Sequence, residues 1–366
     1  MSERLLALHG TQGQSPWLDN LRRGYITTGE LQQLIQNGIR GLTSNPTIFQ
    51  KAITSSADYD EQFKSEIAAG VSPEDAYWSL VISDIQGALD IFAPLYIESQ
   101  GKDGFVSVEV DPWLAHASSD TLSAARALHE RVQRANVMIK IPATQEGIPA
   151  IRQMITEGRN VNVTLIFSLE RYQEVMDAYI EGLEARLAAG HDISSVASVA
   201  SFFISRVDTE IDRRLEAIGS DAARALCGTA AINQAKLAYR AFQNTFSGPR
   251  WEVLAQHGAQ MQRPLWASTS TKNLAYPDTL YVDQLIGPHT VNTLPDTTVE
   301  AFADHGTVSR TIDLNVDIAH EQWEMLATLG VDTNEVAAQL EREGVSSFQK
   351  SFDELLESLR SKASSF

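Results

Sequence analysis

The stretch Val137-Met138-Ile139-Lys140-Ile141-Pro142 decides how this chain is read. Side chains alternate across a strand, so Met138, Lys140 and Pro142 share one face while Val137, Ile139 and Ile141 share the other. With the β-branched face packed on helices, Lys140 points into the interior of a closed sheet. A lysine inside an apolar strand is costly unless it is paired or neutralised. Two readings of it stand side by side. One is a structural ion pair. The other is an amine whose pKa burial has lowered, since an ordinary lysine is free amine to less than about 0.1% at pH 7. Desolvation and a nearby cation raise that fraction by orders of magnitude and suit the amine to Schiff-base chemistry.

Working outward, short apolar strands alternate with longer amphipathic helices. Strands are expected at Pro16–Asn20, Gly41–Asn45, Phe105–Val110, Val137–Ile141, Val161–Ile166, Val196–Phe203, Pro264–Ser268 and Thr290–Thr293. Helical spacing of apolar residues covers Ser118–Arg134 and Ser168–Ala189, the latter stopped by Gly190. About eight strand–helix repeats predict an α/β fold, a single (β/α)8 TIM barrel spanning 1–366. An open doubly wound sheet is the alternative, but its usual phosphate loops, G-x-G-x-x-G and G-x-x-x-x-G-K-[ST], do not occur. Helical insertions between Ala52 and Gln100 and between Asp208 and Gln260 absorb the extra length. So does a C-terminal helical tail from Asp313, whose stripe of Val336, Leu340, Val345, Phe348, Phe352, Leu355 and Leu359 is expected to cover the barrel wall or an end.

Composition narrows the function classes. The chain has 366 residues, 43% of them apolar, enough for a large core and too many for wholesale disorder. Its 47 acidic and 29 basic residues give a formal charge of −18, which disfavours nucleic acid and anionic membranes as partners. Any bound phosphate therefore needs a local cluster of cations. The single Cys227 excludes a disulfide framework and is expected in a helix, reduced. The eight histidines show no H-E-x-x-H or paired spacing, so a metal is not expected. Met1 to Gly10 holds only a short apolar run, and no run approaches the length of a membrane span, so a cytoplasmic location is expected.

The parity test places polar residues on the inward face of other strands too. Ser107, Glu109 and Asp111 oppose Val108 and Val110; Asn162 and Thr164 oppose Val163 and Leu165. Trp17 shares a face with Asp19, and Thr43 with Asn45. Each taken singly fits a satisfied core residue. Their convergence with a lysine near the ends of separate strands fits the place where barrel enzymes build active sites.

At this point Gly41-Leu42-Thr43-Ser44-Asn45-Pro46-Thr47-Ile48-Phe49 resembles the first signature of transaldolases. Val137–Ala143 with Thr144, Glu146 and Gly147 resembles their Schiff-base lysine motif. Asn162–Ser168, Ser201–Arg206 and the tail segment EGVSSFQKSFDELL are similar to family segments as well. The resemblance implies a barrel that transfers a dihydroxyacetone unit from sedoheptulose 7-phosphate to glyceraldehyde 3-phosphate, without metal or cofactor. It implies that Lys140 forms the imine and Asp19 is the base at the donor hydroxyl. Glu109 and Thr164 would hold a proton-shuttling water. Asn45 and Asn162 would bond the dihydroxyacetone hydroxyls, with Ser201 nearby and Phe203 closing the apolar side. Many transaldolases set an Arg two residues after the Ser that ends the seventh strand. Here Ser268-Thr269-Ser270-Thr271-Lys272 ends instead in Lys, so the phosphate is assigned to Arg206, Ser268 and Lys272.

Two other functions are compatible with a barrel of this kind. One is a lyase releasing free dihydroxyacetone; related lyases tend to carry Tyr where Phe203 stands and to lack the Glu at Glu109. The other is a non-catalytic barrel that binds sugar phosphates, against which Lys140, Glu109 and Asp19 together argue. The partners expected are sugar-phosphate substrates, with the chain a monomer or homodimer.

Overall fold

The computed structural model describes residues 2–365. Eight parallel strands close in sequential order into a barrel: β1 (Gln14–Leu18), β2 (Gly41–Leu42), β3 (Phe105–Glu109), β4 (Val137–Pro142), β5 (Val161–Ile166), β6 (Ser198–Phe203), β7 (Arg263–Ala267) and β8 (Thr290–Leu294). Every expected strand is present. β1 starts two residues earlier than expected because Gln14, though polar, is buried with its amide bonded to Leu285 O at 2.7 Å and Thr290 Oγ1 at 2.9 Å. β2 is only two residues long because Asn45 already caps the helix Pro46–Ser55. Gly41 is required there: a Cβ would lie 2.5 Å from the Trp17 ring inside the barrel.

The first insertion contains the helix Pro73–Glu98, which lies against β3 and the C-terminal helix Thr333–Ala363. Against expectation, this helix is long and apolar enough to cross a membrane by length and composition. Its apolar surface is instead turned inward, with Leu80, Val81, Ile85, Leu89 and Phe92 buried. Its mid-helix Asp84 accepts from Arg23 Nε and Tyr59 OH, both at 2.8 Å. Cys227 lies in a turn rather than a helix, after Asp221–Arg224, with Sγ donating to Ala223 O at 3.8 Å.

The two ends of the barrel differ in chemistry. At the N-terminal end of the strands, buried Asp103 accepts from Arg40 and Arg263. These guanidiniums hold its carboxyl below the usual range despite the upward push of burial. The tail helix crosses the opposite end. It is fastened by Thr47 Oγ1 and Ser351 Oγ at 2.8 Å, by Trp113 Nε1 to Asp353 at 2.9 Å, and by the Lys362–Asp60 ion pair. The tail therefore covers the mouth, not the wall.

Candidate active site

The register of three neighbouring strands builds the centre. Glu109 of β3 pairs with Lys140 of β4, and Lys140 with Asn162 of β5, so three inward side chains sit abreast. Lys140 is 4% exposed. Its Nζ lies 3.1 Å from Glu109 Oε2 and donates to Ser44 O at 3.3 Å. The Phe348 ring centroid is 5.7 Å from Nζ. Burial pushes the Glu109 carboxyl up, against the pull of Lys140, and the charge of Asp19 adds to the push.

Beneath the lysine, Asn162 is fully buried with both ends engaged. Its Nδ2 donates to Ser107 Oγ at 2.9 Å and its Oδ1 accepts from Ser201 Oγ at 2.7 Å. This network spans β3 to β6 and forms a floor; Ser201 lines the cleft above it. Thr164 also lines the cleft, and its buried Oγ1 has no hydrogen-bond partner among the described residues, while Glu109 Oε2 has only the Lys140 ammonium beside it. A buried hydroxyl left open at the cleft is a demand for a hydrogen-bonding guest. Thr164 is presented by an irregular stretch of β5, where the register slips between Val163 and Ile166 and Leu165 takes φ +58°.

Asp19 follows β1 directly and faces the same cleft. Its Oδ1 accepts from Thr43 Oγ1 at 2.8 Å, and that hydroxyl lies 2.6 Å from Thr293 Oγ1. Burial pushes the Asp19 carboxyl up, opposed chiefly by the charge of Lys140 and by the bond from Thr43. A carboxylate raised in this way is better matched to proton transfer near neutrality. Asn45 lines the cleft with its Oδ1 accepting from Ile48 N at 3.0 Å as the helix cap, which leaves Nδ2 unbonded among the described residues.

The far end of the cleft is cationic. Phe203 faces inward, its ring 5.1 Å from that of Phe167 and 5.3 Å from the Arg206 guanidinium. Arg206, in the first turn of the helix Ser205–Ile218, lines the cleft with no ion pair or hydrogen bond from its guanidinium among the described residues. Partial burial lowers its affinity for its proton. Ser268, at φ +56°, accepts at its carbonyl from Ser205 N at 3.0 Å, and its Oγ lies 2.8 Å from Ser205 Oγ. Lys272 is solvent-exposed yet lines the cleft, donating to Ser270 Oγ at 2.7 Å. Partial burial and the charges of Arg206 and Lys51 push its pKa down. Neighbouring cations without a direct ion pair among the described residues make a site for an anion.

The cleft therefore gathers Asp19, Asn45, Lys140, Thr164, Ser201, Phe203, Arg206, Ser268 and Lys272 from six different strands and their loops. Glu109 reaches it through Lys140, and Asn162 lies below it. Asp111, though on the inward parity, has left the barrel to cap the turn Pro112–Leu114 through Trp113 N at 2.8 Å. Sequence reasoning missed Phe348. Its place in an apolar helical stripe marks it as buried without saying what it covers. Thr43 and Thr293 were also given no role, although strand parity had already turned Thr43 inward.

Comparison with known proteins agrees with this geometry. The family model described as Transaldolase/Fructose-6-phosphate aldolase matches residues 16–359. The chain is 52% identical over 355 residues to a protein named Transaldolase from Parafrankia sp. (strain EAN1pec), covering 96% of each chain. It is 50% identical over 351 residues to a Transaldolase from Saccharopolyspora erythraea, covering 95% of this chain and 94% of the other. A Transaldolase from Mycolicibacterium smegmatis is 49% identical over 354 residues, with 96% and 95% covered.

Proposed function

The chain belongs to the transaldolase/fructose-6-phosphate aldolase family, and from that premise we propose how its own residues carry out a three-carbon ketol transfer. It is an enzyme of the transaldolase type, moving dihydroxyacetone from sedoheptulose 7-phosphate to glyceraldehyde 3-phosphate to give erythrose 4-phosphate and fructose 6-phosphate. This is a step of the non-oxidative pentose phosphate pathway.

The Lys140 amine adds to the donor ketone at C2, after passing its ammonium proton to Glu109. Loss of water from the carbinolamine gives the protonated imine. Glu109, paired with the lysine, and the buried Thr164 Oγ1, which no described residue bonds, hold the water that shuttles these protons. Asp19 then takes the proton of the C4 hydroxyl. The C3–C4 bond breaks, its electron pair flows into the iminium, and the aldose phosphate leaves. The enamine left on Lys140 attacks the acceptor aldehyde, Asp19 returns the proton, and water hydrolyses the imine. Asn45 and Ser201 orient the three-carbon unit, Asn162 holds Ser201 from the floor beneath it, Phe203 walls its apolar side, and Arg206, Ser268 and Lys272 hold the phosphate.

The observation that carries this reading is one cleft with a carboxylate-flanked lysine at one end and unpaired cations at the other. Borohydride reduction with fructose 6-phosphate tests it: the peptide containing Lys140 gains the mass of a reduced three-carbon unit. Labelling of Lys102, Lys272 or another lysine instead overturns it. We further read the chain as one domain, acting in the cytoplasm on soluble sugar phosphates.

A further inference from the structure

Lys272 sits on an exposed stretch between β7 and β8, and residues 272–275 are all open to solvent. A cation on a free loop gains little from an anion, because ordering the loop offsets the contact. This loop is not free. Tyr276 OH donates to Asp212 Oδ2 at 2.7 Å, and Tyr281 OH donates to Asp208 Oδ2 at 2.8 Å. Both carboxylates belong to the helix Ser205–Ile218, one turn apart on one face. Their other oxygens accept from backbone: Asp208 Oδ1 from Ala231 N at 2.6 Å and Asp212 Oδ1 from Gly228 N at 2.9 Å. The Tyr276 ring lies on Gly228, where a Cβ would come within 2.8 Å of Cζ; Gly228 also has φ +74°.

Among the described residues no lysine or arginine pairs with either carboxylate, so both are buried on neutral donors alone. Burial pushes Asp208 up to about 7 and Asp212 up as well. That arrangement is costly unless each oxygen accepts a hydrogen bond, and the two tyrosines serve the oxygens the backbone leaves. The same helix carries Arg206, two residues before Asp208. The deep cation and the loop cation are thus referenced to one rigid element.

We propose that Tyr276 and Tyr281, hung on Asp212 and Asp208, are positioning residues that hold Lys272 beside Arg206 and so complete a two-cation subsite for the substrate phosphate. The proposal rests on the assignment of Lys272 to the phosphate, and its test separates the two. Tyr276→Phe and Tyr281→Phe are made in the wild-type and in the Lys272→Ala backgrounds, and KM for fructose 6-phosphate is measured with thermal midpoints alongside. In the wild-type background each raises KM several-fold with little change in kcat, while borohydride still traps unphosphorylated dihydroxyacetone on Lys140. In the Lys272→Ala background neither raises KM further. An equal rise in both backgrounds overturns the proposal, because the tyrosines then act through something other than Lys272. So does an unchanged KM in variants that fold. If Lys272→Ala alone leaves KM unchanged, the phosphate assignment has failed, and the proposal with it. Tyr276 is half-buried, so its variant carries the test should Tyr281→Phe fail to fold.

Discussion

Glu109 Oε2 and Lys140 Nζ lie 3.1 Å apart, abreast on adjacent strands, with both side chains almost fully buried. The pair meets the structural demand for charge compensation and sets up the chemistry at once. The carboxylate neutralises the ammonium in the resting enzyme, and burial raises its affinity for a proton.

Lys140→Met should therefore abolish turnover and imine trapping, and it should also leave Glu109 without its counter-charge. A carboxyl raised above its unfolded pKa contributes stability below about pH 4 that is lost as pH rises through the folded value. Without Lys140 that folded value rises further. The thermal midpoint of the variant, relative to wild type, should fall as pH rises above the ordinary carboxylate range. Adding Glu109→Gln should remove the slope. A variant whose deficit is the same at every pH would mean that water already neutralises Glu109.

The cationic end of the cleft gives an asymmetric prediction. The Arg206 guanidinium is half-buried and unpaired, so Arg206→Ala should weaken phosphorylated substrates by about 1.5–3 kcal/mol. Lys272 is exposed, so Lys272→Ala should cost less, roughly 0.5–1 kcal/mol. Fructose, without a phosphate, should be nearly indifferent to both. Equal losses for fructose and fructose 6-phosphate in steady-state kinetics would place the phosphate elsewhere.

Asp208 yields a second pH signature. Its carboxyl is raised from 3.8 to about 7, chiefly by burial. The folded state then holds a proton that the unfolded state gives up between about pH 4 and 7, so this group lowers stability as pH rises through that window, by on the order of 4 kcal/mol in all. Asn can still accept from Ala231 N and meet the Tyr281 hydroxyl. Asp208→Asn should gain stability relative to wild type between pH 5 and pH 8, as read by urea unfolding at each pH. A constant difference across that range would show that Asp208 does not titrate there.

Phe348 should be the tail's contribution to the chemistry. It belongs to a helix lying over the mouth, and Gly344 one turn earlier lets that helix approach: a Cβ there would come within 2.9 Å of Leu165 and 3.5 Å of Arg206. Phe348→Ala should destabilise the fold by about 3 kcal/mol and admit water beside Lys140. Free dihydroxyacetone should then form faster relative to transfer. An unchanged partition would assign the exclusion of water to other walls of the cleft.

The legibility of the site follows from periodicity. Strand parity turned Lys140, Glu109, Asn162, Thr164, Ser201 and Phe203 to the interior, because a period of two leaves only two faces and the β-branched residues claim one. It failed where the chain leaves the sheet: Asp111 shares the parity of Glu109 but caps a turn outside. The helical stripe of the tail told that Phe348 is buried. Which strand ends a 31-residue helix crosses depends on its docking to the helix Pro46–Ser55 and to Pro112, contacts more than 200 residues away in sequence. The tyrosine–aspartate anchors were invisible for the same reason. Each residue alone reads as an ordinary helix face or loop.

The last prediction concerns why this site should transfer and not merely cleave. After the C3–C4 bond breaks, the three-carbon unit waits on Lys140 as an enamine. A lyase must protonate that carbon and hydrolyse the imine quickly; a transferase must leave it intact until an aldehyde arrives. Phe203 lines the cleft and packs on Phe167 and under Arg206, so this wall offers neither a proton nor a hydrogen bond to orient water. A hydroxyl on that ring could do both at little steric cost, with Thr164 and Ser201 in the same cleft to share the water. Phe203→Tyr should raise release of free dihydroxyacetone from fructose 6-phosphate and lower transfer to erythrose 4-phosphate, while Lys140 remains trappable by borohydride. Product analysis with and without erythrose 4-phosphate reads the ratio directly. If the ratio does not move, the lifetime of the enamine is set on the other side of the lysine, by Glu109 and the water it shares with Thr164.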